Sequence, residues 1–248
     1  MKLEARGLVR VFPDGTRALD GADLEIQTPC FMVLSGPNGS GKTVLIRHFV
    51  GLERPRAGIV LADGVPIEKN LAETRRRVGF VFQEPEHQIL GITAGEDVEF
   101  GIRRRIPDRR ERRRRVSEAL EAVGLAGAEN RLASALSGGQ KRRLAVASAL
   151  ASDPDLVILD EPFNGLDPAG ASGLLRMLLD LRDRGVGILV VTHDLEKCLA
   201  HADRLAVLNS GRVAADGSPS ELWDRLPSLG LRRLPGGPER LGEMTWLG

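Results

Sequence analysis

The stretch Gly36-Pro37-Asn38-Gly39-Ser40-Gly41-Lys42-Thr43 constrains this chain more than any other. It is a full match to G-x-x-x-x-G-K-S/T, and its flanks suit that motif. Residues 31–34 form a short apolar run with strand character, and residues 43–50 have helical spacing, Val44 and Leu45 against His48 and Phe49. A glycine-rich turn between a strand and a helix can fold its backbone tightly around phosphate oxygens. The helix amino terminus adds unpaired N–H groups and a favourable dipole. Lys42 is expected to reach the β- and γ-phosphates of a nucleotide as a point charge, and the Thr43 hydroxyl to ligate Mg²⁺. The plainer alternative, a glycine-rich turn with a chance lysine, does not account for an uninterrupted match in this context.

Leu156-Val157-Ile158-Leu159-Asp160-Glu161-Pro162 supplies a second half for such a site. Four apolar residues in succession suit a buried parallel strand, and Asp160 stands where that strand emerges. Ligands of open α/β sheets bind at the carboxyl ends of strands, so both motifs point into one crevice. Asp160 is then the natural Mg²⁺ partner, and Glu161 can polarise an attacking water as a general base. Without the phosphate loop, the pair would read as two solvated carboxylates opening a turn.

Between these motifs lies Leu136-Ser137-Gly138-Gly139-Gln140. Ser137 is a good helix N-cap, and Gly138 and Gly139 leave backbone N–H groups exposed at the positive end of the helix that follows. Such an end is an anion site. Read alone, the peptide is a capped helix start. A plain nucleotide kinase would explain the phosphate loop and leave this pentapeptide unexplained.

With all three motifs in this order, the chain resembles the nucleotide-binding subunits of ATP-binding-cassette (ABC) transporters over residues 1–222. The resemblance implies an α/β P-loop NTPase fold with a RecA-like parallel sheet core, a small antiparallel β lobe and an inserted α-helical lobe, residues 84–152, that carries the signature. It also implies ATP and Mg²⁺ as ligands, with Gly36, Pro37, Asn38, Gly39, Ser40, Gly41, Lys42 and Thr43 around the phosphates. Gln83, after the strand at residues 78–82, matches the glutamine that contacts Mg²⁺ and attacking water and senses the membrane partner. Gly165-Leu166-Asp167 matches the D-loop, which implies Asp167 among the nucleotide-binding residues, and His193 matches the switch histidine on the γ-phosphate. Phe12 stands where the family usually has a tyrosine stacked on adenine; any aromatic face can stack, though the hydroxyl is lost. Ser137, Gly138, Gly139 and Gln140 are implied to close on ATP held by a second cassette, identical or paralogous.

A finer resemblance rests on Gln83-Glu84-Pro85-Glu86-His87-Gln88-Ile89-Leu90 and Glu96-Asp97-Val98-Glu99-Phe100-Gly101, with Phe12-Pro13-Asp14-Gly15-Thr16 at the start. These are similar to the ATPases of energy-coupling-factor (ECF) importers, which serve cobalt, nickel and B-type vitamins through a membrane scaffold and a small substrate-binding membrane protein. Family members usually carry an acidic residue where His87 stands. The expected place of work is the cytoplasmic face of the cell membrane. Two alternatives stay open: the ATPase of a conventional ABC transporter, and a soluble cassette of DNA repair or translation. The latter usually carries tandem cassettes or a long insert, which this chain lacks. Lys42, Gln83, Asp160, Glu161 and His193 are all present, which gives no support to a cassette that has lost hydrolysis.

Composition narrows the classes further. No stretch approaches the run of apolar residues needed to span a bilayer, and no secretory signal opens the chain, so transport would use other polypeptides as the channel. Cys30 and Cys198 make no metal spacing, and no His/Cys/Asp/Glu cluster has transition-metal spacing. A net charge of +1 argues against a broad nucleic-acid surface, and none is expected as a partner. The basic run at residues 103–115 is read as a solvated helix face, with Glu118 and Glu121 partly offsetting it. Residues 223–248, rich in Pro, Gly and Arg, receive no role.

Overall fold

Alternation of buried residues along the central strands explains the architecture, which a computed structural model describes for residues 1–247. β1 (Lys2–Val11), β2 (Arg17–Gln27), β4 (Ala57–Ala62) and β5 (Val65–Pro66) make an antiparallel sheet in the order β2-β1-β4-β5. β3 (Phe31–Ser35), β6 (Val78–Val81), β7 (Leu156–Asp160), β8 (Gly187–Val191), β9 (Arg204–Asn209) and β10 (Arg212–Gly217) form the second sheet, in the order β10-β9-β3-β8-β7-β6. All its neighbouring pairs are parallel except the β9–β10 hairpin.

Every residue of β3, β7 and β8 is buried, as strands covered on both faces require. Side chains of a strand point alternately to its two faces. Phe31, Val33, Val157, Leu159, Ile188 and Val190 therefore pack into one core. Met32, Leu34, Leu156, Ile158, Leu189 and Val191 pack into the other. The second core lies against the antiparallel sheet and α1 (Lys42–Phe49), which contributes Leu45, Ile46 and Phe49. The first core receives three helices of the inserted lobe, α3 (Ala94–Ile102), α4 (Arg109–Ala122) and α5 (Gly138–Leu150), together with α6 (Pro168–Asp183). A short helix, α2 (Leu71–Arg77), leads into β6.

Two elements depart from what local pattern suggests. A strand is expected at residues 24–26, yet β2 pairs with β1 along its length from Arg17↔Val11 to Gln27↔Lys2, with irregularities in register. Ala18, Leu19 and Ala22 are buried by that pairing, a gain that short-range alternation does not register. Ser218-Pro219-Ser220-Glu221 has the pattern of a helix start, yet the α-helix it opens is only α7 (Pro219–Leu222). Its Ser218–Glu221 capping box forms, and the chain then tightens into a 3₁₀ segment, Trp223–Leu229, that contains Pro227. Proline has no N–H to continue an α-helical ladder.

Three of the nine arginines at residues 103–115, Arg112, Arg114 and Arg115, are held in ion pairs. Arg112 pairs with Glu99 at 2.6 Å, and Arg114 pairs with both Glu111 and Glu118 at 2.6 Å. Arg114 and Arg115 hold the Glu111 carboxyl down at about 2. The C-terminal segment is not peripheral to the core: Trp223, Leu226, Leu229, Leu234 and Met244 are buried in the same cluster as the sheet and α6.

Candidate nucleotide site

The loop between β3 and α1 leaves the carboxyl edge of the parallel sheet and turns back on two glycines that nothing else could replace. Gly36 has φ 148°, and a Cβ there would stand 2.0 Å from the Leu208 carbonyl oxygen. Gly41, the N-cap of α1, has φ 103°, and a Cβ would stand 2.3 Å from the Ala18 carbonyl oxygen. Both positions combine left-handed backbone with contact against main chain. Lys42 begins α1 and points back across the loop, where its ammonium donates to the carbonyls of Gly36 at 2.8 Å and Pro37 at 3.0 Å. Burial pushes its pKa down, against the pull of Glu161 and Asp160. A cation already short of water is placed where a polyanion would be its best partner.

Asp160 ends β7 and is buried, and its Oδ1 has no hydrogen-bond partner. Burial pushes its carboxyl up, with hydrogen bonding to Thr43 opposing the shift. Ser40 Oγ in the loop is likewise buried without a partner. Buried polar atoms are almost always satisfied, and Asp160 lines a cleft in which a ligand could supply the missing partner.

Glu161 follows with φ 46°, a backbone conformation an L-residue adopts at a cost of about 1 kcal/mol or more. Its N–H donates to the Val191 carbonyl at 2.8 Å, which ties it to the end of β8. Oε2 accepts from the Thr192 hydroxyl at 3.1 Å. Oε1 accepts from the His193 N–H at 3.3 Å and lies 2.8 Å from His193 Nδ1. The strained turn thus aims a buried carboxylate at an exposed imidazole.

A cleft of about 650 Å³ collects these groups, with Lys42, Thr43, Asp160, Glu161 and His193 on its walls. Gln83 enters it from the end of β6, and Asn38, Gly39 and Gly41 line it from the loop. Phe12 sits at the rim, the Arg10 guanidinium 5.3 Å from its ring centroid. That cation covers one ring face. Ser137, Gly138, Gly139, Gln140 and Asp167 are not brought into this cleft. Ser137 caps α5, accepting from Gln140 N at 3.3 Å while Gln140 Oε1 accepts from Ser137 N at 3.1 Å. Asp167 caps α6, accepting from Gly170 N at 2.7 Å. Ser137 and Gly138 are exposed, and a Cβ on Gly138 would meet nothing within 4 Å.

The family model described as "ABC transporter" matches residues 19–164. This chain belongs to the ABC transporter family. It is similar to the energy-coupling factor transporter ATP-binding protein EcfA of Methanocaldococcus jannaschii, 41% identical over 92% of this chain and 82% of the relative. Among solved structures it superposes on cbiO1 of Clostridium perfringens, part of the cbiONQ transporter complex, with TM-score 0.81 and 33% identity over 92% of this chain and 96% of that one. A dimeric cassette bound to ADP and Pi, MJ0796, matches with TM-score 0.78 and 29% identity over 87% of this chain and 98% of that one. The chain is accordingly an ABC-type ATPase with the P-loop NTPase fold.

In this ABC ATPase, motif reading passed over Arg142. Its buried guanidinium donates to the carbonyls of Pro162 and Asn164, each at 2.6 Å, and of Gln83 at 3.3 Å. Lys141 beside it pairs with Glu86 at 2.7 Å. Together they tie the signature helix to the segments carrying Gln83 and Glu161. Its only signal in the sequence is an arginine three residues beyond Gly139, in a helix that otherwise buries Leu144, Ala145, Val146 and Ala147. Thr192, directly before His193, carries no motif signal of its own, and its hydroxyl donates to Glu161.

Proposed function

We propose that this ABC ATPase is the nucleotide-binding subunit of an ECF-type importer for a metal ion or vitamin, working in pairs at the cytoplasmic face of the membrane. One observation carries the reading: the site is divided. Residues of the phosphate loop, Asp160, Glu161 and His193 line one cleft, whereas the capped tip of α5, with Ser137 and Gly138 exposed, does not line it. A helix tip with exposed glycines is an anion site that lacks an anion-binding partner within its own chain. A second cassette facing it would complete two such sites at once, and an isologous or pseudo-symmetric pair is the simplest arrangement that does so.

In this reading Phe12 stacks on adenine, and the loop amides with Lys42 hold the phosphates. Thr43, Asp160 and Gln83 would hold Mg²⁺, whose charge offsets that building on the transferring phosphoryl group. The unpartnered Asp160 Oδ1 suits such an ion. No group of three or more His, Cys, Asp or Glu side chains able to hold a metal occurs among the described residues. A hard cation bound through one carboxylate, a hydroxyl and substrate phosphates needs none. Glu161 takes the proton of the attacking water, and His193 moves between its carboxylate and the terminal phosphate. Asp167 and the Ser137 tip act at the partner's site.

Support for a membrane partner comes from the helical lobe. Leu90, Ile92, Phe100 and Leu132 are 67%, 73%, 64% and 52% exposed, a concentration of bare apolar side chains close in sequence to Gln83 and the signature. A cytoplasmic element of a membrane scaffold would cover them, and motion at Gln83 and Arg142 would pass through that contact. The relatives named as ECF and cbiO proteins favour this partner over a soluble one.

The test uses the full chain carrying Glu161→Gln with saturating ATP and Mg²⁺. Light scattering is expected to find a nucleotide-dependent dimer that a buffer lacking ATP does not support. A species that stays monomeric at saturating ATP, with nucleotide bound, would remove the paired site. Purification from detergent-solubilised membranes of the native cell is expected to bring down a scaffold and a small substrate-binding membrane protein.

A further inference from the structure

The segment that follows His193 is held from below by the far C-terminus. β8 ends at Val191, and Leu195–Lys197 and Leu199–His201 form two short 3₁₀ turns. The last described residues cross them as a strap. Ala200 N donates to the Met244 carbonyl at 2.9 Å, and Trp246 N donates to the Lys197 carbonyl at 3.2 Å. His201 Nε2 lies 2.7 Å from Thr245 Oγ1, which also accepts from Leu247 N at 3.0 Å. Leu234 and Met244 anchor the strap in the core.

At the centre of the strap a nearly buried cation is caught between two partners. Lys197 is 8% exposed; its ammonium lies 2.7 Å from Asp194 Oδ2 and 4.6 Å from the centroid of the Trp246 ring. Asp194 N donates to Thr192 Oγ1 at 3.0 Å, and the Thr192 hydroxyl donates to Glu161 Oε2 at 3.1 Å. An unbroken series of contacts therefore runs from Trp246 through Lys197, Asp194 and Thr192 to Glu161. A desolvated ammonium needs both its carboxylate and the negative face of the indole, so losing the ring would loosen the loop that carries them.

We propose that Lys197 and Trp246 are positioning residues for ATP hydrolysis: through the C-terminal strap they fix the His193 loop so that Thr192 and His193 meet Glu161. This rests on the reading of Glu161 and His193 as the hydrolytic pair. Neither residue lines the nucleotide cleft, so their effect falls on turnover and spares ATP binding.

Steady-state ATPase assays of the full chain test it. Trp246→Ala and Lys197→Met are expected to lower kcat about tenfold, the size of a small misplacement of a catalytic group, with KM for ATP within about twofold of wild type. Trp246→Phe, which keeps an aromatic face for the ammonium, is expected to recover most of the rate. Arg240→Ala, in an exposed pair with Glu243, is expected to change nothing. A folded Trp246→Ala protein with wild-type kcat, or one whose KM rises while kcat holds, overturns the proposal. Should Trp246→Ala not fold, Lys197→Met carries the test, because Leu234 and Met244 still seat the strap. Glu161→Gln assayed in parallel separates the failures: if it is inactive while both strap variants run normally, only the strap is wrong, whereas an active Glu161→Gln removes the pair on which the strap was argued.

Discussion

His193 Nδ1 lies 2.8 Å from Glu161 Oε1, although the two residues are separated by 32 positions and belong to different strand ends. The same oxygen also accepts the His193 backbone N–H. The carboxylate that should polarise water is thus already engaged by the residue that should reach the phosphate. Leaving that contact for the phosphate would free the carboxylate for the water at the moment the nucleotide is in place.

His193→Ala removes the imidazole and keeps the Thr192 hydroxyl and the backbone N–H on Glu161. Turnover is expected to fall about 10²-fold, the range of a lost group acting on proton transfer, with the ATP dissociation constant little changed. Single-turnover hydrolysis beside equilibrium titration checks both halves. A wild-type rate would show that the contact with Glu161 is only structural.

Lys42→Ala removes the one ammonium in the loop and leaves the Gly36 and Pro37 carbonyls without their donor. ATP affinity is expected to fall at least tenfold, about the 1.4 kcal/mol that a charge-assisted hydrogen bond can supply. Titration with a slowly hydrolysed ATP analogue measures it.

Asp160 gives a pH-dependent signature. Its folded-state pKa is raised by burial, so the fold takes up a proton there. The carboxyl does not burden stability below the ordinary carboxylate range, near pH 4, and stability is lost as pH rises through the raised value. Asp160→Asn is therefore expected to melt higher than wild type at neutral pH, by about 2–4 °C for each kcal/mol recovered, and to lose that advantage near pH 4. The same substitution should abolish Mg²⁺-dependent turnover. Melting curves at the two pH values, set beside rates, expose a site that gives up stability for function.

Gly36→Ala tests the loop geometry. The added methyl meets main chain at 2.0 Å with no flexible side chain to move aside. Loss of ATP binding with a melting temperature several degrees lower is expected, since a strained or overpacked position costs about 1–3 kcal/mol.

Ser137→Arg addresses the paired site. The variant loses a cap worth about 1 kcal/mol and places a bulky cation on the exposed tip of α5. In the Glu161→Gln background it is expected to bind ATP as a monomer. If ATP still dimerises it, α5 does not close on the partner's nucleotide.

Much of this molecule was written locally. The turn from β3 into α1, the caps at Ser137 and Asp167 and the apolar runs of β7 and β8 are set by contiguous residues. Torsion preferences, capping and strand alternation act over a few positions, so the phosphate loop and its flanking strand and helix could be read before any contact was known, and the fold class followed from the family resemblance that the motifs carry. Distance in sequence hid the rest. β8 lies beside β7, and that neighbourhood, with the left-handed turn at Glu161, brings His193 and Thr192 onto the Glu161 carboxylate. Arg142 gained its role only because α5 packs over the ends of β6 and β7. The C-terminal segment had no pattern of its own, yet Leu234 and Met244 are buried in the first core and Trp246 rests on Lys197. Sequence determined which elements form and which phosphate chemistry they carry; only the packing of the sheet and its two cores decided which side chains meet.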